Sequence, residues 1–330
     1  MSNASKNMTH GSANSGSGSF ALRKGLPIVL LALIVLIPFI TGSIFHFHVA
    51  IMICLGIMAT TGLAVIARVG QLSLCHGAFV GLGAYASVIT VMQLGMPFLV
   101  GLIVSVVVSV VVAALIGTPL LRLRGIYFVL ITFALNELFR LVMLEFPSVS
   151  GGSSGIPGIP PAGIGPFVAD TKPTFYVVAV IATAAVIGIL ALIERGFLGH
   201  RFAAVEENLV LAESSGIPTS RVQALAFVIG SGIAGFTGAM MAHYIGFVSP
   251  ETFGFQLSVS YIIILVVGGR LALWGPLVGA LFLTPLPEFL RGAAEYQHVL
   301  YGVALILVLR FLPGGLVSLP SVFTRMGGRA

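Results

Sequence analysis

The chain has 330 residues, of which 58% are hydrophobic and only 8% charged, and its mean hydropathy is +1.11. Soluble globular domains carry roughly 25% charged residues, so a water-soluble fold is excluded. The formal charge of +6 therefore reports membrane orientation through the Lys/Arg bias of loops, and not a nucleic-acid partner.

Charge-free runs cover residues 25–67, 69–121, 173–193 and 222–250, and one crossing needs about 20 mostly apolar residues. This predicts an all-α polytopic membrane protein. A porin-like barrel is excluded, because its strands are short and alternate in polarity. Spans are expected at 27–44, 49–67, 77–94, 97–121, 125–145, 174–193, 223–245, 255–269, 275–291 and 297–312, about ten in all. Residues 1–24 are rich in Ser, Gly and Asn and read as a disordered cytoplasmic tail; 25–320 form one helical unit, and 321–330 a second cytoplasmic tail. Arg23 and Lys24 precede an apolar run that has no small-residue cleavage site, so that run is read as a retained first helix. With the N-terminus inside, every Lys and Arg except Arg140, Lys172 and Arg291 falls on the cytoplasmic side, which is the expected asymmetry. Residues 146–172 then lie outside and 194–222 inside.

The first break in the helical pattern is GQLSLCHGAFVG (70–81), and GRLALWGPLVG (269–279) has a similar pattern. Two Gly-interrupted turns at matching places suggest two related halves, although small residues also let membrane helices approach closely. Polar side chains within spans are the candidates for a solute path: Ser73, Thr132, Asn136, Ser258, Ser260 and Tyr261. Each is equally suited to satisfying a neighbouring backbone. Glu137 joins them because a carboxylate inside a span is costly. Arg140 stands three residues on, within pairing reach along one helix face. The Gly/Pro-dense stretch 148–167 forbids regular helix and is expected to be an outer loop. Its Gly151, Gly152, Ser153, Gly155 and Pro157 are candidates for a gate or a partner contact, with a passive connector as the plainer reading.

Between the spans sits a polar island, with Glu194, Arg195, Arg201, Glu206, Glu207, Glu213 and Arg221 in one stretch. From Gly199 its spacing predicts one short amphipathic helix that puts Phe202, Val205, Leu209 and Ala212 on one face and is stopped by Gly216 and Pro218. A helix lying on lipid favours Lys/Arg on its polar face. The acidic bias here favours a lever that enters a groove on a soluble partner. Enzyme signatures are missing: there is no P-loop, no HExxH and no Cys/His cluster for a metal, and Cys54 and Cys75 read as packing residues.

The segments 70–87, 122–140, 150–160, 199–218, 233–259, 268–280 and 309–316 resemble, in order, the inner-membrane permeases of branched-chain amino acid ABC importers, and specifically the longer permease type. The resemblance implies a type II importer-like fold over 25–320, with 194–222 as the coupling loop and 146–172 as a periplasmic loop. It also implies a second permease subunit, two cytoplasmic ATPase subunits that hold ATP and Mg, a periplasmic solute-binding protein, and no cofactor on this chain. By matching positions, Glu207, Asn208, Ala212 and Gly216 take the coupling role. Here Glu206, Glu207, Asn208 and Leu209 stand where the family commonly has Arg-Glu-Asn-Glu. A self-sufficient secondary transporter or channel is the competing reading, and it would need an ion site for which the spans offer little beyond Glu137.

Overall fold

The structure is a computed structural model that describes residues 36–121, 123, 125–164, 167–289, 296, 299–300, 302–303, 306, 310 and 315–318. Both tails, Arg122, Arg124, Arg291, Glu295, half of the expected span 27–44 and most of the expected span 297–312 lie outside the described residues. Within them the chain is mostly helical. Six helices are long and apolar enough to cross a membrane, and His76–Met92 is a shorter apolar helix.

Helix α1 (Ile44–Ala67) starts earlier than the expected position 49, because Gly42 at φ +60 and Ser43 break the chain just before it. A turn leads into α2 (His76–Met92), and Pro97 opens α3 (Phe98–Leu120). Pro119 sits one residue before the end of α3, where it has no N–H to return to the Leu115 carbonyl of the preceding turn. Helix α4 (Ile126–Glu145) follows. Helix α5 (Lys172–Arg195) begins with a reciprocal cap between Thr171 and Thr174, with Pro173 in its first turn. The polar island forms α6 (Phe197–Glu207) and α7 (Leu209–Ser214). Helix α8 (Thr219–Ile245) ends at Gly246, whose φ of +74 suits glycine. The expected span 275–291 is broken: after α9 (Phe255–Gly268) come α10 (Gly275–Leu283) and α11 (Pro285–Phe289). Pro285 supplies no N–H at that junction.

Burial separates inner from outer helices. The apolar windows of α1 and α8 are 94% and 72% buried, whereas those of α3, α4 and α5 are 22%, 17% and 28% buried. Helix α8 packs against α1, α2 and α3, and glycines set the contacts. A Cβ on Gly230 would strike the Gly62 carbonyl, and one on Gly238 would overlap the Val80 carbonyl. Close backbone approach is how helices associate where no hydrophobic effect drives them together.

The polar island and the C-terminal ends of α1, α5 and α9 share one end of the bundle, the lower end below. At the upper end, the expected irregular loop contains more structure than its composition suggests. Pro147–Ser150 forms a helical turn and Gly152–Ser154 a 3₁₀ turn. Strand β1 (Ile156–Pro157) pairs antiparallel with β4 (Phe247–Val248), and β2 (Gly163–Ile164) with β3 (Phe167–Val168).

Candidate functional site

Helix α2 begins inside the protein. Gly70, at φ +77, turns the chain back after α1, and His76 lies level with Ala59, to whose carbonyl its Nε2–H donates at 2.8 Å. The first N–H groups of a helix have no partner within the helix, and away from water each costs several kcal/mol. Cys75 at the cap position supplies no side-chain bond to the helix. The partners come from other helices. Gly77 N–H donates to Ser258 Oγ at 2.7 Å and Ala78 N–H to Asn136 Oδ1 at 2.9 Å. Just before the helix, Leu74 N–H reaches Thr132 Oγ1 at 3.1 Å and Cys75 N–H reaches Ser73 Oγ at 3.3 Å. Asn136 Nδ2 donates to the Phe253 carbonyl at 3.2 Å, which fixes the amide orientation.

Ser73, Thr132, Asn136 and Ser258, all fully buried, are thus four of the seven path candidates, brought together as one polar knot. Of the other three, Tyr261 stands edge-on to the His76 ring at 6.0 Å. Ser260 bonds its own helix at the Gln256 carbonyl, 3.0 Å away. Glu137 accepts from Arg140 Nε at 2.9 Å, the pair its spacing predicts. Sequence reasoning missed the third member of this group. Arg140 Nη1 also donates to Glu251 Oε1 at 2.9 Å, from the 3₁₀ turn Pro250–Phe253 between β4 and α9. Only a segment that folds back towards α4 brings Glu251 there, and no local signal encodes that.

The Gly/Pro loop is tied to that same segment through the pairing of β1 with β4. Gly155, at φ +68, lies so near the Val248 carbonyl that a Cβ would collide with it. Gly151 and Gly152 adopt positive φ around a turn whose Ser150 Oγ donates to the carbonyls of Met143 and Phe146 and accepts from Gly152 N–H. Ser153 is exposed and Pro157 sits in β1. A cleft of about 390 Å³ at the upper end, lined in part by His48, Asp170, Lys172 and His243, includes no residue of the knot.

At the lower end the single expected helix is two helices. Asn208 leaves helical geometry at φ −157, ψ 105, and its Oδ1 accepts from Leu211 N–H at 3.0 Å, capping α7. The expected common face is kept across the break: Phe202, Val205 and Ala212 are buried, with Leu209 half-buried. Gly216 at φ +81 ends α7, and Ile217 N–H bonds the Ala212 carbonyl at 3.0 Å. This hook leaves Glu207, Asn208, Val210, Leu211 and Glu213 exposed, and a cleft of about 330 Å³ runs past Glu207, Asn208, Leu211 and Ala212. Two acidic residues at this end turn inward, one from the hook and one from the end of α5. Glu206 pairs with Arg270 at 2.9 Å, and Glu194 pairs with Arg68.

Comparison with known proteins gives a consistent picture. The family described as branched-chain amino acid transport system / permease component matches residues 43–309. The chain is 28% identical to the high-affinity branched-chain amino acid transport system permease protein LivM of Salmonella typhimurium, over 92% of this chain and 76% of the relative. It is 32% identical to LivH of Escherichia coli over 44% of this chain and 48% of the relative. A match of 32% identity over 36% of the chain and 37% of the relative is to the autoinducer 2 import system permease protein LsrC of Klebsiella pneumoniae. No solved structure matches.

Proposed function

The chain belongs to the family of branched-chain amino acid transport permeases, and we infer that it translocates a small amino acid with a branched apolar side chain, or a close relative of one. It is a multi-pass membrane permease subunit of an ABC importer, one of a permease pair, and not an enzyme. The finer reading is of about ten spans in a type II arrangement in the bacterial inner membrane, with both termini cytoplasmic. The lower end is then cytoplasmic, in keeping with Arg68, Arg195, Arg201, Arg221 and Arg270 around it.

The hook is the observation that carries this reading. A two-helix element anchored by a buried face, with Glu207, Asn208, Val210 and Leu211 turned outward, suits docking on an ATPase subunit. Glu207, Asn208, Ala212 and Gly216 are its coupling residues, and ATP and Mg belong to two partner ATPase subunits. Closure of the ATPases drags the hook and switches the bundle between outward and inward access. At the upper end, the loop containing Gly151, Gly152, Ser153, Gly155 and Pro157 meets a periplasmic binding protein. The solute path runs by Glu137 and Ser260, with Ser73, Thr132, Asn136, Ser258 and Tyr261 behind it.

The test is purification from native membrane in mild detergent with identification of bound proteins, followed by uptake of radiolabelled leucine into proteoliposomes. ATP-dependent uptake that needs a second permease and ATPase subunits is the expected result. Uptake by this chain alone would overturn the reading.

A further inference from the structure

We propose that Arg68 and Arg270 are positioning residues that transmit the hook's movement to α2 and α10, through the two Gly-interrupted turns. The proposal rests on the docking role of the hook given above. By chain connectivity the hook is joined only to α5 and α8, and both joints are bent: Gly196 is extended at φ −86, ψ 176 between α5 and α6, and Gly216 at φ +81 precedes Pro218 and α8. Joints of this kind absorb rotation and transmit it poorly.

The ion pairs bypass them. Arg270 lies in the turn 269–274 and holds Glu206 of α6 at 2.9 Å. Arg68 follows α1 at the start of the other turn, contacts Glu194 at the end of α5, and donates from Nη2 to the Leu271 carbonyl of the 269–274 turn at 3.0 Å. The hook, the end of α5 and both turns are therefore joined by two guanidinium groups. Side-chain exposure is 17% and 19% for Arg68 and Glu194, and 40% and 18% for Arg270 and Glu206. The Arg68–Glu194 pair is shielded on both sides, and in the Arg270–Glu206 pair the carboxylate is shielded while the guanidinium stays open to water, so the first is set apart from the fully exposed pairs that contribute little.

The turns are alike in form. Each begins at a glycine of positive φ, Gly70 at +77 and Gly269 at +121, and each launches its helix from a residue at φ −92, Cys75 or Trp274. One of those helices, α2, has its N-terminus held by Asn136 and Ser258. A pull on the turn 70–75 is therefore felt at the polar knot.

The experiment uses the assembled importer with Arg270→Glu, Glu206→Arg, the double exchange, Arg270→Gln and, as a docking control, Leu211→Asp. Retained ATPase subunits, basal ATP hydrolysis, hydrolysis stimulated by the liganded binding protein, and leucine uptake are measured. Both single charge reversals are expected to keep the ATPase subunits and basal hydrolysis while losing stimulation and uptake by about 5- to 10-fold, the size of ordinary coupling between sites. Arg270→Gln, which removes the charge without reversing it, shows the same selective loss to a smaller degree. The double exchange restores stimulation. Normal stimulation in both single variants, beside a defective Leu211→Asp, overturns the proposal and leaves the docking role standing. So does loss of ATPase subunits in the single variants, or a double exchange no better than either. A Leu211→Asp importer that assembles and transports normally overturns the docking role and this proposal with it.

Discussion

Asn136 and Asn208 make the same hydrogen bond in opposite surroundings. Each offers its side-chain oxygen to an N–H near a helix start, Ala78 N at 2.9 Å and Leu211 N at 3.0 Å. Asn208 is exposed and local, three residues from its donor, and water can replace it. Asn136 is fully buried, 58 residues from its donor, and also donates to Phe253. The difference shows what polarity is for in each region. In the knot, polar groups are consumed by the protein's own backbone, whereas on the hook they remain available to a partner.

The largest effect is expected at Asn136. Asn136→Ala strands the Ala78 N–H and the Phe253 carbonyl away from water and removes the long 3.4 Å acceptor of the Ser258 hydroxyl; at about 1–3 kcal/mol for each of the two closely bonded groups left without a partner the loss is at least roughly 2–6 kcal/mol. Thermal unfolding in detergent measures it. A variant as stable as the parent would mean that the N-terminus of α2 does not depend on the knot. Ser258→Ala comes next, because it strands only the Gly77 N–H, with a loss of about 1–3 kcal/mol in the same assay. Equal losses at the two positions would show that the Phe253 carbonyl and the Ser258 hydroxyl find other partners.

The four knot residues were legible as candidates because a hydroxyl or amide inside an apolar run is conspicuous. Their arrangement was not, since Ser258 meets Gly77 across 181 residues and no local pattern encodes such a pairing. The burial of Phe202, Val205 and Ala212 was legible from helical spacing, whereas the break at Asn208 was not. Apolar periodicity continues straight through it, and only the preference of Asn for cap positions hints at a second helix. Arg68 and Arg270 read as markers of orientation, because a single arginine in a loop does not reveal which carboxylate it will meet.

On the hook the readout changes from stability to association. Leu211 is 63% exposed, so Leu211→Asp leaves the unfolding temperature unchanged while weakening ATPase binding about tenfold, or roughly 1.4 kcal/mol, a typical cost at a contributing interface position. Titration of detergent-solubilised permease with the ATPase subunits reads this directly. A fall in stability without a fall in binding would place Leu211 with the knot residues, as part of the fold.

The smallest effect is expected at Asn208. Removing an exposed N-cap costs about 1 kcal/mol, and the cost falls on α7 alone, since its six residues can fray without disturbing α6 or α8. Asn208→Ala should therefore leave global unfolding unchanged while speeding amide hydrogen exchange across Leu209–Ser214 about 5-fold, the factor that corresponds to 1 kcal/mol at room temperature. Asn208→Asp restores protection, because aspartate caps as well as asparagine. Coupling follows exchange if the role of Asn208 is to hold α7 in shape for docking. If the aspartate variant recovers protection but not stimulated hydrolysis, the Asn208 amide itself touches the ATPase, and the contrast with Asn136 becomes one between a bond made within the chain and a bond made across subunits.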